Sequence, residues 1–209
     1  MVYEHGGDIY RNKVRLDFSV NTNPLGMSEN VKKAIAENIE QFGIYPDAMC
    51  VNLRNAIAEK EQVGADNVLC SNGAAEMIFA VVRTVMPKKT LLLAPTFSEY
   101  ERALKSVGSQ ICYYYLKEEN DFELQDDFID YLDDIDMVFI CNPNNPVGKI
   151  ADKKTAQHIA EVCGERKIVC VFDECFMDLA DGYSMKEKVP AIKAFTKTYA
   201  MAGLRLGYM

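Results

Sequence analysis

Short apolar runs alternate with amphipathic segments from about residue 28 to the end of the chain. Helical periodicity predicts amphipathic helices over 28–42, 51–63, 73–86, 98–107 and 152–164, and a short acidic helix over DDFIDYLDD. Apolar, β-rich runs predict strands over 67–71, 90–95, 110–116, 137–141, 168–173 and 192–195. Runs such as MVFIC lack polar alternation, which is typical of strands buried on both faces. Buried strands separated by helices predict an α/β fold, with an open, mostly parallel sheet between helices.

The first 27 residues do not follow this alternation, and they end in the turn Asn23-Pro24-Leu25-Gly26. We therefore expect an irregular N-terminal arm over 1–27 and one domain over 28–209. The sequence contains no internal repeat and no low-complexity segment.

Composition and charge narrow the function classes. The chain has 209 residues, of which 49% are hydrophobic and 26% charged, enough for one sizeable core. A net charge of −8 argues against nucleic acid or acidic membrane as a partner. No apolar run approaches the roughly 18 residues of a membrane span, and the polar N-terminus is not a signal peptide. Seven cysteines without a CxxC spacing favour a reducing cytoplasm over a disulfide or zinc framework.

Ligands of open α/β sheets bind at the carboxyl ends of the strands, so the residues after each strand are the candidates for chemistry. Gly73 opens a helix whose first N–H groups lack intrahelical acceptors, as in a phosphate site. The alternative is an ordinary strand-to-helix turn. Phe97 follows the strand at 90–95 and could stack on a planar ligand or pack in the core.

The later strands end in more distinctive residues. Asn145 lies between two prolines that fix its loop, which is either a shaped wall or a surface turn. Asp173 ends a buried strand, where a carboxylate needs a partner such as a cationic ligand nitrogen or a local lysine. Lys197, after Thr196, is placed for nucleophilic amine chemistry, and Arg205 offers a fork suited to phosphate. An aldehyde-trapping amine, a partner for a pyridinium nitrogen, a stacking ring and a phosphate cradle are what pyridoxal 5'-phosphate requires.

The chain resembles the class I/II aminotransferase family of fold-type I pyridoxal phosphate enzymes. Within that family it is most similar to the branch of histidinol-phosphate aminotransferases and threonine-phosphate decarboxylases. The segments that carry the resemblance are NPLG (23–26), YPD (45–47), SNGAAE (71–76), APTFSEY (94–100), NPNNPVG (142–148), VFDECF (171–176) and FTKTYAMAGLRLGY (195–208). The resemblance implies an aspartate aminotransferase-like, pyridoxal phosphate-binding large domain over 28–209.

The resemblance also implies a role for each residue that binds the cofactor ring. Lys197 would form the Schiff base and move protons at the substrate Cα. Asp173 would pair with the pyridine nitrogen and keep it protonated. Asn145 would hydrogen-bond the ring 3-oxygen, and Phe97 would stack on the ring.

The phosphate would be held by the backbone N–H groups of Ala74 and Ala75, by the Thr196 hydroxyl and by Arg205. Tyr45 matches a tyrosine that reaches the phosphate of the neighbouring subunit. The resemblance therefore implies a homodimer in which Tyr45 completes the partner's site.

Three features favour the decarboxylase branch: Phe176, where aminotransferases of this branch usually have tyrosine, His5-Gly6-Gly7, and DFSVNTNPLG at 17–26. The substrate would be a small phosphorylated amino acid or amine. Transamination remains the alternative, because loss of Cα–H and loss of carboxylate use the same residues.

Members of this family continue into a small C-terminal domain with an arginine that grips the substrate carboxylate. That domain is absent from these 209 residues, and the segment between Asp173 and Lys197 is shorter than the resemblance implies. We therefore expect that this chain alone cannot turn over substrate.

Two other readings are an α/β nucleotide-binding protein and a non-catalytic homologue or inactive fragment. No GxGxxG or P-loop motif supports the first. The intact Lys197, Asp173, Asn145 and Arg205 argue against the second.

Overall fold

The structure, a computed structural model, describes residues 6–209. Its helices are α1 Glu29–Glu37, α2 Val51–Glu61, α3 Ala74–Val85, α4 Ser98–Ser106, α5 Lys153–Glu165 and α6 Phe195–Thr198. Its strands are β1 Cys70–Ser71, β2 Lys89–Ala94, β3 Gln110–Tyr115, β4 Met137–Cys141, β5 Val169–Asp173, β6 Ala191–Ala194 and β7 Gly207–Tyr208. Short 3-10 helices occupy Ile39–Gly43, Ala65–Asn67, Glu118–Asn120, Asp126–Tyr131, Met177–Leu179 and Ala202–Leu204.

The strands form one seven-stranded sheet in the order β1-β7-β6-β5-β4-β2-β3. Every pair from β6 to β3 is parallel, and β7 alone runs antiparallel to both of its neighbours, β1 and β6. Parallel neighbours need long crossover connections, and helices supply them here. The predicted α/β fold with a mostly parallel sheet is confirmed.

Helices cover both faces of the sheet, and the alternation along β2 shows why the strand is apolar throughout. Leu91 and Leu93 are buried in the core on one face, together with α5. Leu92 points to the opposite face and packs with α3 and α4. A strand that is covered on both sides places every residue in a core, which explains the absence of polar alternation in the sequence.

The structure differs from the sequence-based elements at several places. The short acidic helix expected over DDFIDYLDD is a 3-10 helix over Asp126–Tyr131. The helix expected over 28–42 ends at Glu37, and the chain continues as a 3-10 helix after Asn38, whose φ of −112° is not helical. The strand expected over 67–71 is reduced to β1, and β7 was not predicted because two residues carry no recognisable pattern.

The face of α1 that carries Val31 and Ile35 contributes no buried residue to the core. Its amphipathic pattern predicted the helix correctly but not its full burial, because among residues 6–209 that face is only partly covered and Val31 and Ile35 are half-buried.

Residues 6–28 form no helix or strand. Asn23 ties this segment to α6: its backbone N–H donates to the Lys197 carbonyl over 3.0 Å, and its side-chain amide donates to the Thr198 carbonyl over 2.9 Å. The division into an arm over 1–27 and a domain over 28–209 stays a prediction, and His5 lies outside the described residues. Among the helices of residues 6–209, none is long and apolar enough to cross a membrane.

A buried ionic cluster joins α2 to β6 and β7. Glu61, which is 6% exposed, accepts hydrogen bonds from Tyr208 over 2.7 Å, from Lys186 over 3.0 Å and from Lys193 over 3.2 Å. Burial alone would raise the pKa of Glu61, but the hydrogen bonds from Tyr208 and Lys186 and the charge of Lys193 outweigh it and lower the pKa from 4.5 to about 2. The lowered pKa means that the cluster stabilises the fold only while Glu61 is ionised.

Glu61→Gln should lower the free energy of unfolding by up to about 3 kcal/mol at pH 7, since it leaves the buried Lys193 with only the Asp178 carboxylate, 3.5 Å away, as its partner. The wild-type contribution is fully present above pH 4.5 and disappears as the pH falls towards about 2. Denaturant unfolding between pH 2 and 7 should therefore show that the free energy of unfolding falls more steeply with decreasing pH in wild type than in Glu61→Gln. Glu29→Gln, which breaks an exposed pair with Lys32, is the control and should change little. Parallel pH profiles for wild type and Glu61→Gln would contradict the assignment.

Candidate functional site

A cavity of about 680 Å³ lies beyond the carboxyl ends of the parallel strands. Eight of the nine candidate site residues line it: Ala74, Ala75, Phe97, Asn145, Asp173, Thr196, Lys197 and Arg205. They come from five different strand-to-loop junctions, so the sheet brings together residues that are far apart in sequence. The ninth, Tyr45, does not line this cavity, and its side chain is 98% exposed.

A larger cavity, of about 800 Å³, lies around α2 and the Glu61 cluster. Its buried charges, Glu61 and Lys193, are paired with each other. We assign the chemistry to the smaller cavity, which is lined by an amine, a carboxylate and a helix N-terminus.

Asp173 ends β5 and is 3% exposed. Its carboxylate accepts a hydrogen bond from the Tyr100 hydroxyl at Oδ2 over 2.7 Å and one from the Cys175 backbone N–H at Oδ1 over 3.0 Å. The buried carboxylate therefore has local partners, which the sequence did not identify. A local lysine, the structural alternative considered from the sequence, supplies neither of these bonds.

Tyr100 is the site residue that sequence reasoning missed. It lies on α4, is fully buried, and packs on the sheet face that contains Phe139. Burial raises the pKa of Tyr100 well above its usual value, and the nearby Asp173 adds to the effect, so the hydroxyl stays protonated and donates. A buried tyrosine needs a hydrogen-bond partner, but the partner here lies 73 residues away in the chain, and no sequence pattern indicates that contact.

Lys197 lies on α6, directly after β6. Burial lowers the pKa of its amine, and the positive charge of Arg205 lowers it further, while Cys175 and Asp173 act in the opposite direction. Its Nζ lies 5.5 Å from the centre of the Phe176 ring. A lysine with a lowered pKa has more neutral, nucleophilic amine near neutral pH.

The start of α3 and Arg205 form an anion cradle. Gly73 has a φ of +82°, and the N–H groups of Ala74 and Ala75 follow in the first turn, where helix N–H groups have no intrahelical acceptor. Arg205 is so close that a Cβ on Gly73 would lie 2.5 Å from its Nη2 atom. A side chain at position 73 would strain the backbone at this φ and displace the guanidinium, which lies beside the helix N-terminus, where both favour an anion.

The antiparallel strand β7 produces this approach. A Cβ on Gly207 would lie 2.7 Å from the Gly73 carbonyl carbon, so the two backbones are in direct contact. The sequence identified Gly73 and Arg205 as phosphate candidates, but not the strand that brings them together.

Two cavity walls come from loops. Phe97 lines the cavity and also packs edge-on against Tyr100, with ring centres 5.7 Å apart, so the stacking and core-packing readings of Phe97 are compatible. Asn145 lines the wall after β4, and Ser19 to Asn21 of the N-terminal segment also line the cavity.

Comparison with known proteins identifies the family of this chain. The model of the family described as aminotransferase class I and II matches residues 13–209. The chain belongs to the class I and II aminotransferase family. The resemblance found in the sequence is thereby confirmed.

Two relatives represent the two activities suggested by the motifs. The threonine-phosphate decarboxylase of Salmonella typhimurium (strain LT2) is 38% identical over 202 residues, which are 93% of this chain and 56% of that protein. The histidinol-phosphate aminotransferase of Bacillus velezensis is 28% identical over 200 residues, which are 90% of this chain and 55% of that protein. This aminotransferase-family chain therefore spans little more than half the length of these relatives.

A solved structure agrees with the fold. The histidinol-phosphate aminotransferase from Clostridium acetobutylicum superimposes with a TM-score of 0.82 at 32% identity, covering 92% of this chain and 59% of that one. The predicted aminotransferase-like α/β fold class is confirmed by this likeness.

Pyridoxal phosphate is the cofactor expected of an aminotransferase of this family, and the residues present fit it. The Gly73 turn is a cradle that a Cβ would fill, and it combines helix N–H donors with a guanidinium. Lys197 supplies an amine, and Asp173 a buried carboxylate on the same cavity. The cradle therefore matches an anionic phosphate, the Lys197 amine matches an aldehyde, and the Asp173 carboxylate matches a cationic ring nitrogen.

Gly73→Ala should weaken pyridoxal phosphate binding about tenfold, because the added methyl displaces the Arg205 guanidinium. Gly108→Ala is the matched control: Gly108 has a φ of +74°, and its Cβ would meet nothing within 4 Å. Both variants should lose about 1 kcal/mol of stability from backbone strain, but only the first should lose affinity in calorimetric titration. Equal affinities would show that the Gly73–Arg205 contact does not shape the site.

The Lys197 amine should become reactive at a lower pH than the protein's exposed lysines, because its pKa is lowered. Competitive labelling with acetic anhydride across pH 7 to 11, followed by peptide mass spectrometry, measures this. Arg205→Gln should move the Lys197 midpoint to higher pH, since it removes a positive charge that opposes protonation. A midpoint equal to that of exposed lysines would contradict this description of the site.

Proposed function

We propose that the protein is a pyridoxal phosphate-dependent enzyme that acts on a small phosphorylated amino acid, and that the favoured reaction is decarboxylation of threonine phosphate. The observation that carries the proposal is the cavity in which Lys197, Asp173 and the Gly73–Arg205 cradle meet. Transfer of an amine from histidinol phosphate is the second candidate, favoured by the likeness to the Clostridium acetobutylicum structure.

Pyridoxal phosphate supplies an aldehyde that captures amines and a protonated ring that accepts electron density from the substrate Cα. Lys197 provides the amine for attachment and a base that holds or moves a proton at Cα. Its lowered pKa suits both tasks, because the neutral form is the nucleophile and the base.

The other residues bind and orient. Asp173 offers a fixed negative charge to the ring nitrogen, and Asn145 a side-chain amide to the ring 3-oxygen. Phe97 provides a flat apolar wall for the ring. The N–H groups of Ala74 and Ala75 bind the phosphate.

The Thr196 hydroxyl and Arg205 complete the phosphate site. Charged and oriented donors of this kind would restrict the cofactor to one pose.

Two observations support decarboxylation over transamination. The Salmonella typhimurium decarboxylase shares 38% identity with this chain, against 28% for the Bacillus velezensis aminotransferase. Phe176, next to the Lys197 amine, carries no hydroxyl where aminotransferases of this branch usually have tyrosine.

We also propose a homodimer in which Tyr45 reaches the cavity of the partner. Tyr45 is 98% exposed, and its neighbours Phe42 and Ile44 are 65% and 64% exposed. Contiguous exposed apolar side chains of this kind mark interaction surfaces. The large domain over 28–209 and a cytoplasmic location belong to the same proposal, and the free thiols of the seven cysteines are typical of a reducing compartment.

The test is a parallel assay of the whole protein loaded with pyridoxal phosphate. With threonine phosphate we expect release of carbon dioxide that exceeds amine transfer to 2-oxoglutarate, and little transfer from histidinol phosphate. Lys197→Ala should lower the rate by at least about 100-fold, because it removes both the amine and the base. Transfer from histidinol phosphate without carbon dioxide release would support the second candidate instead, and failure to bind the cofactor would refute both.

A further inference from the structure

Tyr100 makes a side-chain hydrogen bond with the Asp173 carboxylate. Its hydroxyl donates to Oδ2 over 2.7 Å, and the two residues are 0% and 3% exposed. A hydrogen bond to an ionised group is stronger than a neutral one, and inside a protein it is not weakened by water. The pair is therefore a strong constraint on where the carboxylate can lie.

Two aromatic rings hold Tyr100 in turn. The Phe139 ring stacks on it with centres 5.0 Å apart and planes at 9°, and the Phe97 ring meets it edge-on at 5.7 Å. Side chains packed in this way stay in one rotamer. The hydroxyl is thus fixed in position. Phe97, which packs against the Tyr100 ring, itself lines the cavity.

The hydrogen bonds of Asp173 leave room for a further donor. A carboxylate can accept about four hydrogen bonds, and the protein supplies donors from the Tyr100 hydroxyl and the Cys175 N–H, with the Cys175 thiol as a further side-chain partner. Asp173 also lines the cavity. Burial raises the pKa of the adjacent Cys141 thiol to about 12, so that group adds no competing charge at neutral pH.

We infer that Tyr100 is a positioning residue, which holds the Asp173 carboxylate at the cavity wall in the orientation that receives a cationic ring nitrogen. The inference rests on the proposed function, since it names how that site holds its cofactor. Tyr100 does not line the cavity and acts only through Asp173.

The test compares two ligands: pyridoxal phosphate, and its 1-deaza analogue, in which carbon replaces the ring nitrogen. Wild type should bind pyridoxal phosphate more tightly than the analogue. Tyr100→Phe keeps the stacked ring and removes only the hydroxyl, and it should weaken pyridoxal phosphate binding about tenfold while changing analogue binding less than twofold. Fluorescence titration of the whole protein, freed of cofactor, gives the four dissociation constants.

Tyr114→Phe is the matched control. Tyr114 is also buried and also donates to a carboxylate, that of Asp127, but neither residue lines the cavity. This variant should keep the wild-type preference for pyridoxal phosphate, even if both tyrosine variants melt at lower temperature. Phe139→Leu removes the ring stacked on Tyr100, and like Tyr100→Phe it should reduce the preference for pyridoxal phosphate over the 1-deaza analogue. It gives a second readout should Tyr100→Phe not fold.

Equal losses for both ligands in Tyr100→Phe would show a merely structural role and overturn the inference. An unchanged preference in Tyr100→Phe and in Phe139→Leu would do the same while leaving the proposed function intact. Failure of wild type itself to bind pyridoxal phosphate would refute the proposed function and this inference together.

Discussion

The parallel register of β4, β5 and β6 is the constraint on which the site depends. Cys141 pairs with Asp173, and Asp173 pairs with Ile192, so the three neighbouring strands end side by side at the same edge of the sheet. The Asn145 loop, the Asp173 carboxylate and the start of α6 therefore lie close together along this edge of the sheet. A shift of this register by one residue would turn Asp173 to the opposite face of the sheet.

A second constraint closes the site from the other side. Strand β7 returns antiparallel between β1 and β6, and its Gly207 touches the backbone of Gly73. This contact sets Arg205 beside the first turn of α3. The cavity is lined by the cations Lys197 and Arg205 and by the carboxylates Asp173 and Glu99, and Glu99 is paired with Arg102. Arg205 and the start of α3 form a local site for an anion, although the whole chain carries −8.

Much of the fold and the site could be predicted because both rest on strong local signals. Continuous apolar runs identified β2, β4 and β5, and Asp173 and Lys197 stood out as charged residues after such runs. Features that depend on distant contacts could not be found in this way. The two residues of β7 become a strand only by pairing with β1 and β6, and Tyr100 has the pattern of an ordinary core residue on α4. The role of Tyr45 depends on a second chain and stays a prediction.

We propose that Lys197 is the residue that carries pyridoxal phosphate. Incubation of the whole protein with the cofactor, reduction with borohydride and peptide mass spectrometry test this directly. We predict one phosphopyridoxyl group per chain, on the peptide that contains Lys197, and none when Asp173 and Lys197 are both replaced. Stable incorporation at a different lysine, or none at all, would contradict it.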